Sequence, residues 1–110
     1  MIMFAVVYRW RIIPGREQDF EVGWTRGTER IAAELGGWGS RLHRAKDGSY
    51  FAYAEWPDEA TWQAAVEAGM PHSDEAARRM YRGAIEPDGF EVICAGEVAS
   101  DRLGLGAGRE

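Results

Sequence analysis

Residues 4–13 read FAVVYRWRII and run into Pro14-Gly15. The stretch is rich in β-branched and aromatic residues, which favour a strand, and successive side chains of a strand point to opposite faces. One face carries Phe4, Val6, Tyr8, Trp10 and Ile12, and the other carries Ala5, Val7, Arg9 and Arg11. The stretch therefore predicts a first β-strand, which Pro14-Gly15 ends.

An amphipathic helix is predicted directly after this strand. From Arg16 the apolar stripe recurs at steps of three and four residues, at Phe20, Trp24, Gly27, Ile31 and Leu35, which is the helical period. Gly36-Gly37 ends the helix. A helix of about 20 residues spans about 30 Å, nearly the length of the first strand. The helix can therefore run back along the strand.

A hairpin, two short helices and a last strand are predicted to follow. Strands over 38–46 and 50–56 are joined by Asp47-Gly48, a dipeptide that suits a type I′ turn. Asp58 is predicted to cap a helix that runs through Ala68, and Ser73 to cap a helix that carries Ile85. The last strand is expected over 90–98, with Cys94 as a small core residue.

The resulting order, β-α-β-β-α-β, is that of ferredoxin-like domains. We therefore expect an α+β fold with a four-stranded antiparallel sheet, and right-handed crossovers place its helices on one face. The domain is expected to span residues 1–99, and the glycine-rich residues 100–110 are expected to form a flexible tail.

The sheet face opposite the helices is predicted to be apolar and uncovered. Its expected residues are Ala5, Val7, Phe51, Tyr53, Ile93 and Ala95, with Arg9, Arg11, Glu55, Glu91 and Glu97 around them. His43 is expected on the same face. A second copy of this face is the simplest complement, so a homodimer is expected. The alternative is a sheet face that water covers.

Composition argues against several classes of partner. The net charge is −5 and no basic run exists, so nucleic acid is not an expected partner. No apolar stretch approaches the ~20 residues of a membrane span, and the first residues lack the pattern of a signal peptide, so a cytoplasmic location is expected. One cysteine and two histidines give no zinc-binding spacing, so neither disulfide nor metal is expected.

Several short motifs resemble the antibiotic biosynthesis monooxygenase family. They are Pro14-Gly15-Arg16-Glu17, Gly36-Gly37-Trp38-Gly39, Leu42 with Arg44, and Glu55-Trp56-Pro57-Asp58-Glu59-Ala60. The resemblance implies two ferredoxin-like chains packed sheet to sheet into a dimeric α/β barrel, each with a ligand pocket between its own sheet and helices. It also implies oxygenase chemistry, since some members need neither metal nor flavin to oxidise electron-rich phenols or anthrones. A haem-degrading branch carries an asparagine where this chain has Tyr8.

Aromatic residues facing the helices are the candidates for substrate binding: Trp10, Trp24, Trp62 and Tyr81. Small residues leave room among them, at Gly23, Gly27, Ala52, Ala54 and Gly96. Glycine inside a helix costs about 1 kcal/mol relative to alanine, so a packing or pocket reason is expected for the two helical glycines. The alternative is an ordinary core in which large side chains fill the gaps left by small ones.

His72 and Tyr8 are the candidate catalytic residues. His72 follows Met70-Pro71 in the break between the two short helices, where an imidazole can accept a substrate proton. Tyr8 can donate a hydrogen bond to a substrate oxygen. The alternatives are an idle loop histidine and a tyrosine that only satisfies its own hydroxyl group.

Two functions therefore follow from the sequence. The first is a cofactor-independent monooxygenase that acts on a small aromatic or polyketide-like compound. The second is a non-catalytic binding or sensing module of the same fold, in which the aromatic residues hold a small hydrophobic ligand. Only the first predicts turnover.

Overall fold

The computed structural model describes residues 3–104 and 106, so Met1, Ile2, Leu105 and residues 107–110 of the predicted domain and tail lie outside it. The elements are β1 (Phe4–Ile12), α1 (Glu17–Leu35), β2 (Gly39–Arg44), β3 (Tyr50–Trp56), α2 (Glu59–Glu67), α3 (Glu75–Ala84) and β4 (Ile85–Glu97). The strands form one antiparallel sheet in the order β2-β3-β1-β4. The α+β class and the βαββαβ order predicted from the sequence are confirmed.

The core lies between the sheet and the helices and consists of two clusters of buried residues. One cluster contains Trp10, Ile12, Phe20, Tyr50, Ala52 and Ala84, and the other contains Phe4, Val6, Ala54, Trp56 and Ala65. The partly buried Tyr8 packs against both clusters. Tyr8 therefore occupies the junction of the two halves of the core, at the centre of the covered sheet face.

The two short helices begin at aspartate caps. Asp58 accepts a hydrogen bond from the backbone N–H of Thr61 at 2.8 Å, as the sequence predicts. The cap of α3 is Asp74, which accepts from the N–H of Ala77, so the prediction of Ser73 as the cap is wrong. The Ser73 hydroxyl donates to Glu34 of α1 instead, at 2.5 Å. Because the Ser73 hydroxyl group binds the Glu34 carboxylate, it is not available to cap α3.

The β2-β3 hairpin is present, but its turn differs from the prediction. Gly48 has a φ of 91°, whereas Asp47 is not among the residues with positive φ, so the turn is not type I′. The N–H of Ala45 bonds to the carbonyl of Ser49 at 2.8 Å, which closes a three-residue loop. The Asp47 carboxylate accepts from the Ser49 N–H and hydroxyl groups, which favours the longer loop.

Strand β4 begins at Ile85, five residues before the predicted start, and Ile85 is not part of α3 as predicted. Ile85 pairs with Ile12, and Phe90 pairs with Trp10. The register shifts between these two pairs, and Asp88 there has a φ of 57°. Because β4 is at the edge of the sheet, Pro87 and the bulge do not interrupt a strand on its other side.

A second bulge in β4 reverses the predicted faces of its last residues. Val92 pairs with Tyr8 but Cys94 pairs with Val7, so Ile93 is the extra residue. Paired residues share a face, so Cys94 and Gly96 lie on the uncovered face and Ala95 lies on the helix side with Val6. Four face assignments are therefore wrong: those of Cys94, Ala95, Gly96 and Glu97. Cys94 is exposed and is not a core residue.

Ala5, Val7 and Tyr53 lie together on the sheet face opposite the helices, where Val7 pairs with Tyr53. His43 lies on it, as predicted, and stacks on Phe51 with ring centroids 4.6 Å apart. Its Nδ1 atom is buried and has no hydrogen-bond partner within the described part of the chain.

Within residues 3–104 and 106, none of the helices has the length and apolar character of a membrane span.

Candidate functional site

A cavity of about 340 Å³ lies between the sheet and the helices, a volume within the usual range of small-ligand pockets. Strand β1 contributes Tyr8 and Trp10, α1 contributes Gly23, Trp24, Gly27 and Ile31, the loop after α2 contributes Met70 and His72, α3 contributes Arg78, Tyr81 and Arg82, and β4 contributes Phe90. Five of the six residues predicted for the site thus border one cavity. The sixth, Trp62, is not among the lining residues.

Aromatic rings form one wall of the cavity. Phe90 stacks on Tyr8 at a centroid distance of 5.7 Å and contacts Trp10 at 5.8 Å. It remains 46% exposed although it lies on the helix side of the sheet. Phe90 was not among the predicted site residues, although alternation along β4 puts it on the same face as Val92. Its place beside Trp10 depends on the register of β4 on β1.

The Tyr8 hydroxyl group accepts a hydrogen bond from Nε1 of Trp62 at 3.0 Å. Burial raises the pKa of Tyr8, and the indole N–H groups of Trp62 and Trp56 oppose this effect without cancelling it. The phenol is therefore protonated at neutral pH. Trp62, which also packs on Phe4 at 5.5 Å, supports Tyr8 from behind the cavity wall.

Tyr81 has the same arrangement on the opposite wall. Nε1 of Trp10 donates to the Tyr81 hydroxyl oxygen at 2.7 Å, and burial raises the pKa of Tyr81 to about 12. Both cavity tyrosines thus accept from an indole. In the part of the chain that the structure describes, neither hydroxyl donates to a protein acceptor, so both protons are available to a ligand oxygen.

An ion pair and a set of hydrogen bonds to α1 hold the loop that carries His72. Gly69 and Met70 turn the loop with φ values of 83° and 52°. Beyond the turn, Asp74 forms an ion pair with Arg26 at 2.8 Å, and Ser73 bonds to Glu34. These contacts hold the His72 ring over α1, where a Cβ atom on Gly27 would lie 3.2 Å from Nε2.

The contacts of His72 determine where its proton is. Nδ1 accepts from the backbone N–H of Asp74 at 3.2 Å, which places the proton of the neutral ring on Nε2. Burial and the neighbouring Arg78 lower the pKa of His72, so the ring is neutral at pH 7. His72 therefore presents an N–H donor beside the cavity. Its predicted role as a proton acceptor stays a prediction.

Gly23 has a packing role as well as bordering the cavity. A Cβ atom there would lie 2.7 Å from the backbone nitrogen of Tyr81 and 2.9 Å from the carbonyl oxygen of Ala77. Helices α1 and α3 thus touch backbone to backbone at this residue. The packing reason expected for a helical glycine is found here.

Gly27→Leu is expected to fill the cavity while the chain stays folded. A Cβ atom at residue 27 meets only the His72 imidazole, at 3.2 and 3.7 Å, and the rest of the leucine can enter the empty space. Glycine removal also favours the helix by about 1 kcal/mol. We expect a melting temperature close to that of the wild type and loss of tryptophan quenching by an added aromatic ligand. Overpacking a filled core costs about 1–3 kcal/mol, so a large fall in melting temperature would show that no usable cavity exists.

Two arginines of the cavity, Arg78 and Arg82, were also missed. The helical period places them one turn apart, with Tyr81 between them, so the spacing alone would have indicated that they share the face of Tyr81. Among the described residues, no group of three or more His, Cys, Asp or Glu side chains could hold a metal ion.

Comparison with known proteins identifies the family of the chain. The family model for antibiotic biosynthesis monooxygenases matches residues 3–79. This range contains β1, the hairpin and the loop of His72. A search of curated proteins finds no match to the chain.

Solved structures with the same fold include three well-covered examples. A Nitrosomonas europaea protein of unknown function is 18% identical, with 94% of this chain and 95% of that chain covered and a TM-score of 0.67. SnoaB, a cofactor-independent oxygenase from Streptomyces nogalater, is 19% identical, with 92% and 95% covered and a TM-score of 0.62. The Rv0793 protein from Mycobacterium tuberculosis is 16% identical, with 90% and 95% covered and a TM-score of 0.59. These identities show a shared fold, and the match of the family model over residues 3–79 shows that the chain belongs to the antibiotic biosynthesis monooxygenase family.

Proposed function

We propose that this chain is a cofactor-independent monooxygenase that oxidises a small aromatic or polyketide-like compound with molecular oxygen. The observation that best supports the proposal is the pair of tyrosines in the cavity, each of which accepts from an indole and keeps its own proton free. An apolar cavity with unused donors suits a flat ring system with oxygen substituents. Membership of the family and the fold shared with SnoaB, a cofactor-independent oxygenase, agree with it.

The proposed reaction begins when an electron-rich phenol or anthrone loses a proton to solvent. Hydrogen bonds from Tyr8, Tyr81 and Nε2 of His72 stabilise the anion, and the apolar lining of the cavity makes them stronger than they would be in water. The anion transfers one electron to O₂, and the resulting radical and superoxide combine into a peroxide anion. This anion takes up one proton from solvent and becomes a hydroperoxide. Loss of water from the hydroperoxide leaves a quinone carbonyl. One oxygen atom thus enters the product, and the other leaves as water.

Tyr8 and His72 are the catalytic residues of this proposal, and both act as donors in the geometry observed. Trp10 and Trp24 contact the ring system, and Tyr81 binds its oxygen as a further donor. Trp62 positions Tyr8 through its hydrogen bond. A hydrogen-bond donor at this oxygen stabilises the transition state more than the neutral substrate, because negative charge grows on the oxygen as the reaction proceeds.

Oxygen uptake tests the proposal. The purified chain is mixed with a panel of hydroquinones and anthrones, and dissolved oxygen is followed with an electrode. Consumption above the rate without protein is the expected result. The alternative function, a binding or sensing module, predicts that the same compounds quench the tryptophan fluorescence while the oxygen concentration stays constant.

We also propose that the chain forms a homodimer through the uncovered sheet face. Ala5, Val7 and Tyr53 share this face, and Phe51 and Ile93 are 41% and 48% exposed. Because an exposed apolar surface with charged residues around it marks an interaction site, a second chain that closes over this face accounts for its apolar side chains.

Val7→Asp is expected to convert the dimer into a monomer, because it places a carboxylate in an interface that water leaves. Sedimentation velocity at micromolar concentration measures the change. Val66→Asp is the matched control, since Val66 lies on α2 and is 45% exposed, and it should sediment as a dimer. A wild-type chain that sediments as a folded monomer would refute this interface.

A further inference from the structure

Helix α3 carries three arginines that differ in their surroundings. Arg79 lies within 3.8 Å of Glu75, one turn away on the same helix, and does not line the cavity. Arg78 and Arg82 both line the cavity. Among residues 3–104 and 106, neither of these two has a carboxylate partner within ion-pair distance.

The two cavity arginines keep most of their donors free. Arg78 uses Nη1 to donate to the backbone carbonyl of His72, which leaves its other guanidinium nitrogens unused. The side chain of Arg82 has no hydrogen bond within the described ranges. The residues are four apart, so their side chains lie one above the other on the face of α3 that carries Tyr81.

The two cavity arginines differ from the other arginines by their place. Within the described residues, ion pairs neutralise six arginines: Arg9, Arg16, Arg26, Arg30, Arg44 and Arg79. Arg11, Arg41 and Arg102 also lack an ion pair but do not line the cavity. Although the net charge of the chain is −5, no described carboxylate neutralises the two arginines beside the cavity. Positive charge at a low-dielectric cleft concentrates the field and attracts anions.

We infer that the ligand of this cavity is an aromatic carboxylic acid, whose carboxylate binds Arg78 and Arg82 while its rings lie against Trp10, Trp24 and Phe90. The planar guanidinium group matches the geometry of a carboxylate and can bind it through two parallel hydrogen bonds. The carboxylate fixes the ring system in one orientation along α3. This inference rests on the ligand cavity of the proposed function, but it does not require turnover.

Matched ligands test the inference by binding alone. Naphthol and a hydroxynaphthoate differ by one ring carboxylate, and each is titrated into the chain while tryptophan fluorescence is recorded. The hydroxynaphthoate should bind about tenfold more tightly, as a charge-assisted contact that is partly screened by water implies. In Arg82→Gln this preference should fall to about twofold or less, while the affinity for naphthol stays unchanged.

Arg79→Gln is the matched control, because it removes the same charge from the same helix at a residue outside the cavity. It should keep the full preference. Arg78→Gln is the second test variant, and its melting temperature shows whether the loop of His72 is retained. Addition of salt should weaken the binding of hydroxynaphthoate more than that of naphthol.

If the ligands bind, three results would overturn the inference: equal affinity for the two ligands, a preference that persists in both cavity variants, or an equal loss of preference in Arg79→Gln, which would indicate a nonspecific effect of the charge on α3. If neither ligand binds, the cavity itself is not a ligand site, and the inference fails with it. A preference that follows Arg78 and Arg82 in a chain without oxygen uptake would support the inference while the proposed oxygenase activity fails.

Discussion

Gly23→Ala should lower the free energy of unfolding by about 2–3 kcal/mol, although alanine is the better helix former. The new Cβ atom would lie 2.7 Å from one backbone atom of α3 and 2.9 Å from another. Backbone cannot rotate away as a side chain can, so α1 and α3 have to separate and the cavity between them loses its shape. For a domain of this size we expect a fall in melting temperature of roughly 10–20 °C.

Gly83→Ala is the matched control for this prediction. Gly83 is also inside a helix, but its Cβ atom would contact only the end of the Arg16 side chain, at 3.4 Å. The same substitution should therefore leave the melting temperature unchanged or raise it slightly. If both variants melt like the wild type, the two helices are not in close contact at Gly23, and the cavity geometry is incorrect.

Tyr8→Phe should reduce kcat/KM for the aromatic substrate by about a hundredfold, the usual effect of removing one donor from a developing oxyanion. The phenylalanine ring keeps the packing between the two core clusters. Trp62 loses the acceptor of its Nε1, so some loss of stability is expected as well. Steady-state oxygen uptake on the folded variant, with kcat and KM determined separately, measures the effect, which should be mainly in kcat.

Tyr50→Phe provides the comparison for this variant. Tyr50 is 1% exposed and donates its hydroxyl to Glu21 at 2.5 Å, but it does not line the cavity. Loss of this hydroxyl group and its hydrogen bond should lower the free energy of unfolding by about 1 kcal/mol and leave kcat/KM unchanged. Equal activity in Tyr8→Phe and the wild type would remove Tyr8 from the proposed mechanism.

The sequence predicts the fold well where one periodic pattern applies. The alternation from Phe4 to Ile12 and the helical stripe from Phe20 to Leu35 each bury one face, so pattern and structure agree. At β4 the pattern breaks down, because a bulge at Ile93 reverses the faces of every residue after it. Residues 92–95 are all apolar, so no change in alternation marks the bulge, and Cys94 and Gly96 were assigned to the wrong face.

Prediction of the site is limited for a similar reason. Alternation along β1 is sufficient to identify Tyr8 and Trp10 as cavity residues. The place of Trp62 behind Tyr8 depends on how α2 packs, and the tautomer of His72 depends on a single backbone N–H of Asp74. Such tertiary contacts leave no periodic signal in the sequence.

Turnover of an anthrone in labelled dioxygen tests the central claim most directly. Mass spectrometry of the product measures whether oxygen from O₂ has entered it, and the label in water is followed in parallel. The proposed reaction predicts one labelled oxygen atom in the quinone and the other in water, at a rate that Tyr8→Phe lowers. A product without label, or no product from any compound that binds the cavity, would contradict monooxygenase activity.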